Sequence, residues 1–240
     1  LTGKTRWSRP MGGWQDRGGA LATAGGLVFQ GSIDGHLRSF DKASGKLLKE
    51  IDTGTAILAA PMTYKVGGTQ YVAVMAAWGG GGFPYVPPYS AAYRRGNKGR
   101  VLVFRLDGGP VPLPPALPPL AVAPAPPRQA PGVTPQTIMQ GMTLFFGNCA
   151  LCHSNQPRSI TPDLRRMSEG THAAFKEIVL RGLLLPNGMP RWDDRLSEKD
   201  VDAIHAYLID LQAKVRAEEL EKQKRGLPLD APGLTILSNY

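Results

Sequence analysis

Short apolar runs broken by glycine turns fill the first hundred residues, and longer runs with helical spacing fill the last hundred. Ala20-Leu21-Ala22-Thr23 precedes Gly25-Gly26, and Leu27-Val28-Phe29-Gln30-Gly31-Ser32 then reads as a buried strand. Asp34-Gly35 predicts a hairpin turn. His36-Leu37-Arg38-Ser39-Phe40 alternates as the return strand, with Leu37 and Arg38 on opposite faces. Residues 46–51, 70–76 and 100–105 are the remaining predicted strands, the second behind a Gly67-Gly68 turn. Beyond residue 133 the period becomes helical. Thr134-Pro135 is an N-cap followed by proline at the first helical position. Ile138, Met142, Phe145 and Phe146 then share one face. Thr171 is the predicted cap of a second helix carrying Phe175, Ile178 and Val179. Ser197-Glu198-Lys199-Asp200 resembles a capping box, with Asp in place of Glu or Gln. The helix after it buries Val201, Ile204, Leu208 and Leu211 and is expected to run on through 214–225 as a solvated extension.

Between these two textures lie residues 109–135, which hold 11 of the 22 prolines. Proline fixes φ and removes a donor, so this stretch predicts an extended spacer without a recognition role. The alternative is a proline-motif ligand for a partner. An internal repeat also stands out: Gly3-Lys4 with Trp7 recurs as Gly45-Lys46 with Lys49, a shift of 42 residues. That period, with several short strands in each copy, predicts β-propeller blades.

Composition removes several classes. Hydrophobic residues are 42% and charged residues 20%, enough for a buried core, and no run is long enough to span a membrane as a helix. The net charge of +9 is concentrated in residues 1–108, with 14 Lys+Arg against 6 Asp+Glu, while 136–213 carries 8 against 9. The excess is scattered and has no basic run, so nucleic-acid binding is not expected. Two cysteines cannot form a disulfide framework.

Those cysteines carry the one strong motif. Cys149-Ala150-Leu151-Cys152-His153 is the C-x-x-C-H signature of c-type haem attachment. Thiols one helical turn apart can add to the two vinyl groups of haem, and the adjacent His153 can ligate the iron. A thioredoxin-like pair would need a βαβ context, and a structural zinc site would need four ligands. Two inert buried thiols would leave the adjacent histidine unexplained. Thirty-six residues further on, Met189 stands between Gly188 and Pro190 in a turn-rich loop and is the candidate second axial ligand. A soft thioether favours Fe(II) and raises the potential. Met139, Met142 and Met167 read as packing residues.

These residues resemble a known family. Cys149–His153, Thr161-Pro162-Asp163-Leu164, Thr171-His172-Ala173-Ala174-Phe175, Gly188-Met189-Pro190 and Ala206-Tyr207-Leu208 look like the class I cytochrome c domain of quinohaemoprotein alcohol dehydrogenases. Residues 18–31, 60–64, 70–74 and 78–80 look like the last blades of that family's eight-bladed PQQ-binding propeller. The family's blade repeat appears here as Ser39, Asp41, Gly45, Lys46 and Lys49, with lysine where the family has an inter-blade tryptophan. A weaker blade junction is expected there.

The resemblance implies a multidomain β + α fold: a partial β-propeller over 1–108, a proline-rich linker over 109–135, a class I cytochrome c all-α domain over 136–213, and a charged helical extension and tail over 214–240. It implies haem c here, with PQQ and Ca²⁺ in a longer parent from which this chain reads as a C-terminal piece. Cys149 and Cys152 would carry the haem, His153 and Met189 would ligate the iron, and Trp78-Gly79 is the candidate PQQ contact, with Trp14 a weaker one. No catalytic residue is assigned. The implied role is electron relay from reduced PQQ to an external cytochrome, blue-copper protein or quinone, in the periplasm. The missing blades would come from the same or another chain. The competing reading is a non-enzymatic electron carrier with a degenerate propeller stub as docking module.

Overall fold

A computed structural model describes residues 3–10, 18–79, 86–153 and 156–230. Trp14, Gly80 and the last ten residues of the tail lie outside the described residues. The chain divides into two units, Leu1–Pro118 and Pro119–Tyr240, and the division falls inside the proline-rich stretch.

The first unit holds two antiparallel meanders. Strands β1 (Ala20–Ala22), β2 (Leu27–Gly31), β3 (His36–Asp41) and β4 (Leu47–Asp52) form one sheet in that order. Strands β5 (Met62–Val66), β6 (Thr69–Ala76) and β7 (Arg100–Arg105) form the other. Their shared core is Leu37, Ile57, Val74 and Ala76, with Leu102 and Phe104 against it. Among the described residues no sheet closes into a barrel; these are propeller-type sheets, and the propeller is partial. A short helix, α1 (Ala91–Arg95), is capped by the Ser90 hydroxyl.

Local chemistry explains the turns. The Asp34-Gly35 hairpin forms as predicted, and Arg38 donates to the Asp34 carboxylate. Burial alone would raise the Asp34 pKa, but the hydrogen bonds from Arg38 and Ser32 outweigh it and hold it at about 2. In the repeat motif, the Asp41 carboxylate accepts from the Ala43 and Ser44 amides, and Gly45 closes the turn at φ +70°. Trp7 covers that turn: its indole N–H donates to Lys42 O, and a Cβ on Gly45 would lie 2.6 Å from the indole ring. Lys49, in the second copy's tryptophan position, is exposed and seals nothing.

The second unit is helical. Helix α2 (Pro135–Asn148) starts at a Thr134–Thr137 capping box. Helices α3 (Glu169–Ala173) and α4 (Phe175–Arg181) follow, and α5 (Glu198–Lys224) closes the unit from a Ser197–Asp200 capping box. The core joins Phe145, Phe175, Val179, Ile204, Tyr207 and Leu208. Helices α2 and α5 cross closely because Gly141 has no side chain: a Cβ there would lie 1.9 Å from Ala203 O.

Four expectations need correction. The helix carrying Phe175, Ile178 and Val179 is α4, whose N-cap is Ala174 with no side-chain cap; Thr171 lies inside α3, which Ser168 caps by accepting from the Thr171 amide. Phe146 is 55% exposed and turns its edge to Phe145 instead of sharing the buried face. The end of α5 is not simply solvated, since Val215, Glu219 and Lys222 continue the buried stripe. The proline-rich stretch lies against that stripe: it has no helix or strand over 109–130, as expected of an extended spacer, but it is hydrogen-bonded where a bare spacer was expected. In the second unit the Ala123 amide donates to Glu219 Oε2 at 2.7 Å, Arg216 donates to Ala123 O, and Gln212 donates to Pro124 O. In the first unit Arg95 donates to Pro114 O and Arg100 to Pro112 O. A proline segment keeps its carbonyls as acceptors, and buried or flanking arginines and amides use them.

A candidate haem c attachment site

Helix α2 ends at Asn148, and the chain continues in a tight turn that carries the cysteine motif. Cys149 N–H donates to Phe145 O, Cys152 N–H to Cys149 O and His153 N–H to Cys149 O. The two cysteines thus ride one helical turn past the helix end. Both are free thiols; Cys149 is half-buried and Cys152 exposed. Burial, with a smaller push from Cys152, raises the Cys149 pKa to about 11. This thiol stays protonated at neutral pH. Among the described residues, no three His, Cys, Asp or Glu side chains gather to hold a metal ion.

The His153 imidazole is oriented by a backbone carbonyl: Nδ1 lies 3.0 Å from Pro162 O. A carbonyl only accepts, so Nδ1 carries the proton and Nε2 keeps a free lone pair. Outer hydrogen bonds of this kind set the tautomer and angle of a histidine ligand. The same loop is tied back again, as Thr161 donates its hydroxyl proton to Cys152 O.

Met189 is placed by its neighbours. The 3-10 turn Leu185–Asn187 ends at Gly188 with φ +91°, a conformation open to glycine, and Met189 N–H donates to Leu184 O. Its side chain is half-buried. Both His153 and Met189 belong to the second unit. Large apolar side chains next to them in sequence stand out from the protein: Leu151 at 72%, and Leu183 and Leu185 beside the Met189 turn. The donor set fits haem c: two thiols, an imidazole with Nε2 free, a thioether, and apolar surface that a porphyrin would cover.

Sequence reading missed a buried polar group behind this site. His205 Nε2 lies 2.9 Å from His172 Nδ1, and His172 Nε2 lies 3.1 Å from Gln212 Oε1. Gln212 is fully buried and uses both its donors and its acceptor, on Met167 N, Met167 O and Pro124 O besides His172. Phe175 stacks on His205 at 4.5 Å. Burial, then the neighbouring His172, lowers the His205 pKa to about 4, and burial lowers that of His172 despite Gln212. The glutamine sits in a helical stripe, which is where a signal lay, but a polar residue in an apolar stripe does not announce its partners.

In the first unit Trp78 is 4% exposed, and Asn97 brackets its backbone by accepting from its N–H and donating to its carbonyl. A Cβ on Gly79 would meet nothing within 4 Å.

Comparison with known proteins agrees with this division into a β part and a haem part. Residues 2–72 match the family model for the glucose/ethanol/alcohol dehydrogenase β-propeller domain. Residues 136–208 match the model for cytochrome c oxidase, cbb3-type, subunit III. The chain is thus a PQQ-type propeller portion joined to a cytochrome c domain, and that domain implies haem c. Quinohemoprotein alcohol dehydrogenase ADH IIB of Pseudomonas putida is 39% identical over 202 residues, covering 80% of this chain and 28% of the relative. The 1-butanol dehydrogenase (cytochrome c) of Thauera butanivorans is 33% identical over 208 residues, 84% of this chain and 28% of the relative. The solved structure of ADHIIG from P. putida superposes with a TM-score of 0.70 at 34% identity, over 86% of this chain and 30% of that one. These homologues are matched at their C-terminal part, and the chain spans less than a third of their length.

Proposed function

We propose that this chain is the electron-transfer portion of a PQQ- and haem c-dependent alcohol dehydrogenase. The observation that carries it is the Cys149–His153 turn with the imidazole pinned to Pro162 O and Nε2 left free. Cys149 and Cys152 would hold the haem through two thioether bonds. His153 Nε2 and the Met189 sulfur would ligate its iron. Bound there, the haem supplies a one-electron Fe(III)/Fe(II) couple. The protein's part would be to orient His153 and Met189 and to keep water from the ring. Pro162 sets the imidazole, Gly188 and Pro190 set the thioether, and Phe146, Leu151 and the Leu183–Leu185 run supply apolar cover. A thioether ligand would raise the potential of that couple, which favours taking electrons from a reduced quinone.

The alcohol named by the relatives would be oxidised at PQQ, with Ca²⁺, in blades beyond those present here. Trp78-Gly79 is the candidate contact: the Trp78 indole is buried, and Gly79 leaves its backbone open to close approach. One face of the second sheet supports a further partner. Met75 at 66% and Val101 at 71%, opposite each other on β6 and β7, stand exposed with Met62 and Val103 on the same face. Such an apolar sheet face suits the remaining blades, from the same or another chain. The final electron acceptor would be a cytochrome, a blue-copper protein or a quinone. Residence in the periplasm fits covalent haem attachment, and no helix among the described residues is long and apolar enough to cross a membrane.

Redox titration of the haem-loaded chain tests this reading. It should show one haem couple and no reduction by alcohol with added PQQ. Alcohol turnover by this chain alone would contradict it.

A further inference from the structure

The haem ligand His153 is oriented by one carbonyl, so whatever fixes that carbonyl takes part in fixing the iron. Pro162 opens a short segment that runs through the 3-10 turn Leu164–Arg166 to Met167. Two residues of α5 hold this segment from behind. Gln212 accepts from Met167 N–H at 3.2 Å and donates to Met167 O at 3.0 Å, so it grips both sides of one residue. Glu219 accepts from Arg166, and Arg166 also lies 3.6 Å from Asp163, the residue next to Pro162. Asp163 caps the turn by accepting from the Arg165 amide and pairs with the Arg165 side chain. The same two α5 residues engage the proline strap, Gln212 at Pro124 O and Glu219 at the Ala123 amide. His172 completes the set by donating Nε2–H to Gln212 Oε1, which fixes the amide's orientation. Met167, His172, Gln212, Glu219 and Ala123 are buried, where an unmade hydrogen bond is costly and each partner restrains the next.

The geometry points to Gln212 and Glu219 as positioning residues for the iron ligand: through the Pro162–Met167 segment they hold the carbonyl that orients His153. The inference rests on the haem reading above. It assigns a role in the haem site to the second half of α5 and, through it, to the proline strap.

The test uses the full chain with haem attached and reads solvent exchange of the His153 Nδ1 proton by NMR. Intact mass is measured first on the parent chain, so that failure to bind haem overturns the haem reading itself and is not confused with failure of this inference. Gln212→Leu should retain haem while the Nδ1 proton exchanges roughly tenfold faster, because the segment opens locally more often. Glu219→Gln keeps an acceptor for Ala123 but loses the charge facing Arg166. It should accelerate exchange about threefold and carries the test if Gln212→Leu does not fold. Val201→Ala, a core truncation with no bond to the segment, should leave the exchange rate within about twofold of the parent. Unchanged exchange in the folded variants, or equal acceleration in Val201→Ala, would overturn the inference.

Discussion

At the residue scale the candidate haem site is a set of groups whose states are fixed by their neighbours. His153 would offer Nε2 to the iron because its Nδ1–H donates to Pro162 O. Met189 presents a thioether because Gly188 turns the chain at positive φ just before it. Replacing Met189 by histidine should keep the iron six-coordinate and lower the midpoint potential, on the order of 100 mV or more, since imidazole favours Fe(III) over the thioether's Fe(II). Potentiometric titration of Met189→His checks this; an unchanged potential would remove Met189 from the iron. The buried histidines give a pH dependence. His205 stays neutral in the fold down to about pH 4, while in the unfolded chain it takes a proton below 6.5. The unfolded state therefore binds more protons between those values, and stability rises with pH across that window and is lost as pH falls through it. Urea midpoints between pH 4 and 7 should show this rise, and His205→Phe should flatten it. The cysteine motif was fully legible in the sequence, because its spacing is its chemistry. The Pro162 carbonyl was not, because a backbone acceptor has no letter of its own.

At the element scale the strands around the two turn motifs and the capped helices follow the sequence signals closely. Thr134 and Ser197 start α2 and α5 where their side chains can take orphan amides. The strand β5 and the helix α1 were missed for different reasons. In β5 the apolar residues Met62, Tyr64 and Val66 alternate as in a strand, but they face outward, so no burial pattern backs the alternation. Helix α1 has five residues, too few for a helical period to show. The proline stretch reads in the sequence as an extended, semi-rigid spacer, and extended it is; what the letters do not show is that its backbone groups bond to Gln212, Arg216 and Glu219. Packing of α2 on α5 yields a prediction that runs against helix propensity. Gly141→Ala should gain up to about 1 kcal/mol of propensity. The new methyl would lie 1.9 Å from Ala203 O, and helix separation of this kind costs about 1–3 kcal/mol or more. Net destabilisation in urea unfolding is expected; a more stable variant would mean that the helices do not meet at this glycine.

At the scale of the whole molecule each unit carries surface that its own residues do not cover. In the second unit the apolar side chains beside His153 and Met189 suit a porphyrin. In the first, the outer face of β5–β7 suits another blade, and the Lys49 position lacks the aromatic seal that Trp7 provides over Gly45. Isolated chain should therefore self-associate as concentration rises, and Val101→Lys with Val103→Lys should suppress this by placing charge on the sheet face. Analytical ultracentrifugation reads the difference, and equal association with and without the lysines would move the contact elsewhere. The order of parts along the chain was legible because composition changes at each boundary. The outward apolar face was not, since alternation alone does not say which side is covered.

Covalent haem at the two cysteines is the claim on which the electron-relay account stands, and intact mass with a pyridine haemochrome spectrum tests it most directly. Chain produced in a host with haem-attachment machinery should gain the mass of one haem and give the spectrum of a haem joined by two thioether bonds. Replacing Cys149 and Cys152 by serine should abolish both signals. Colourless protein from that host, at the mass of the bare polypeptide and with two thiols open to titration, would contradict the account.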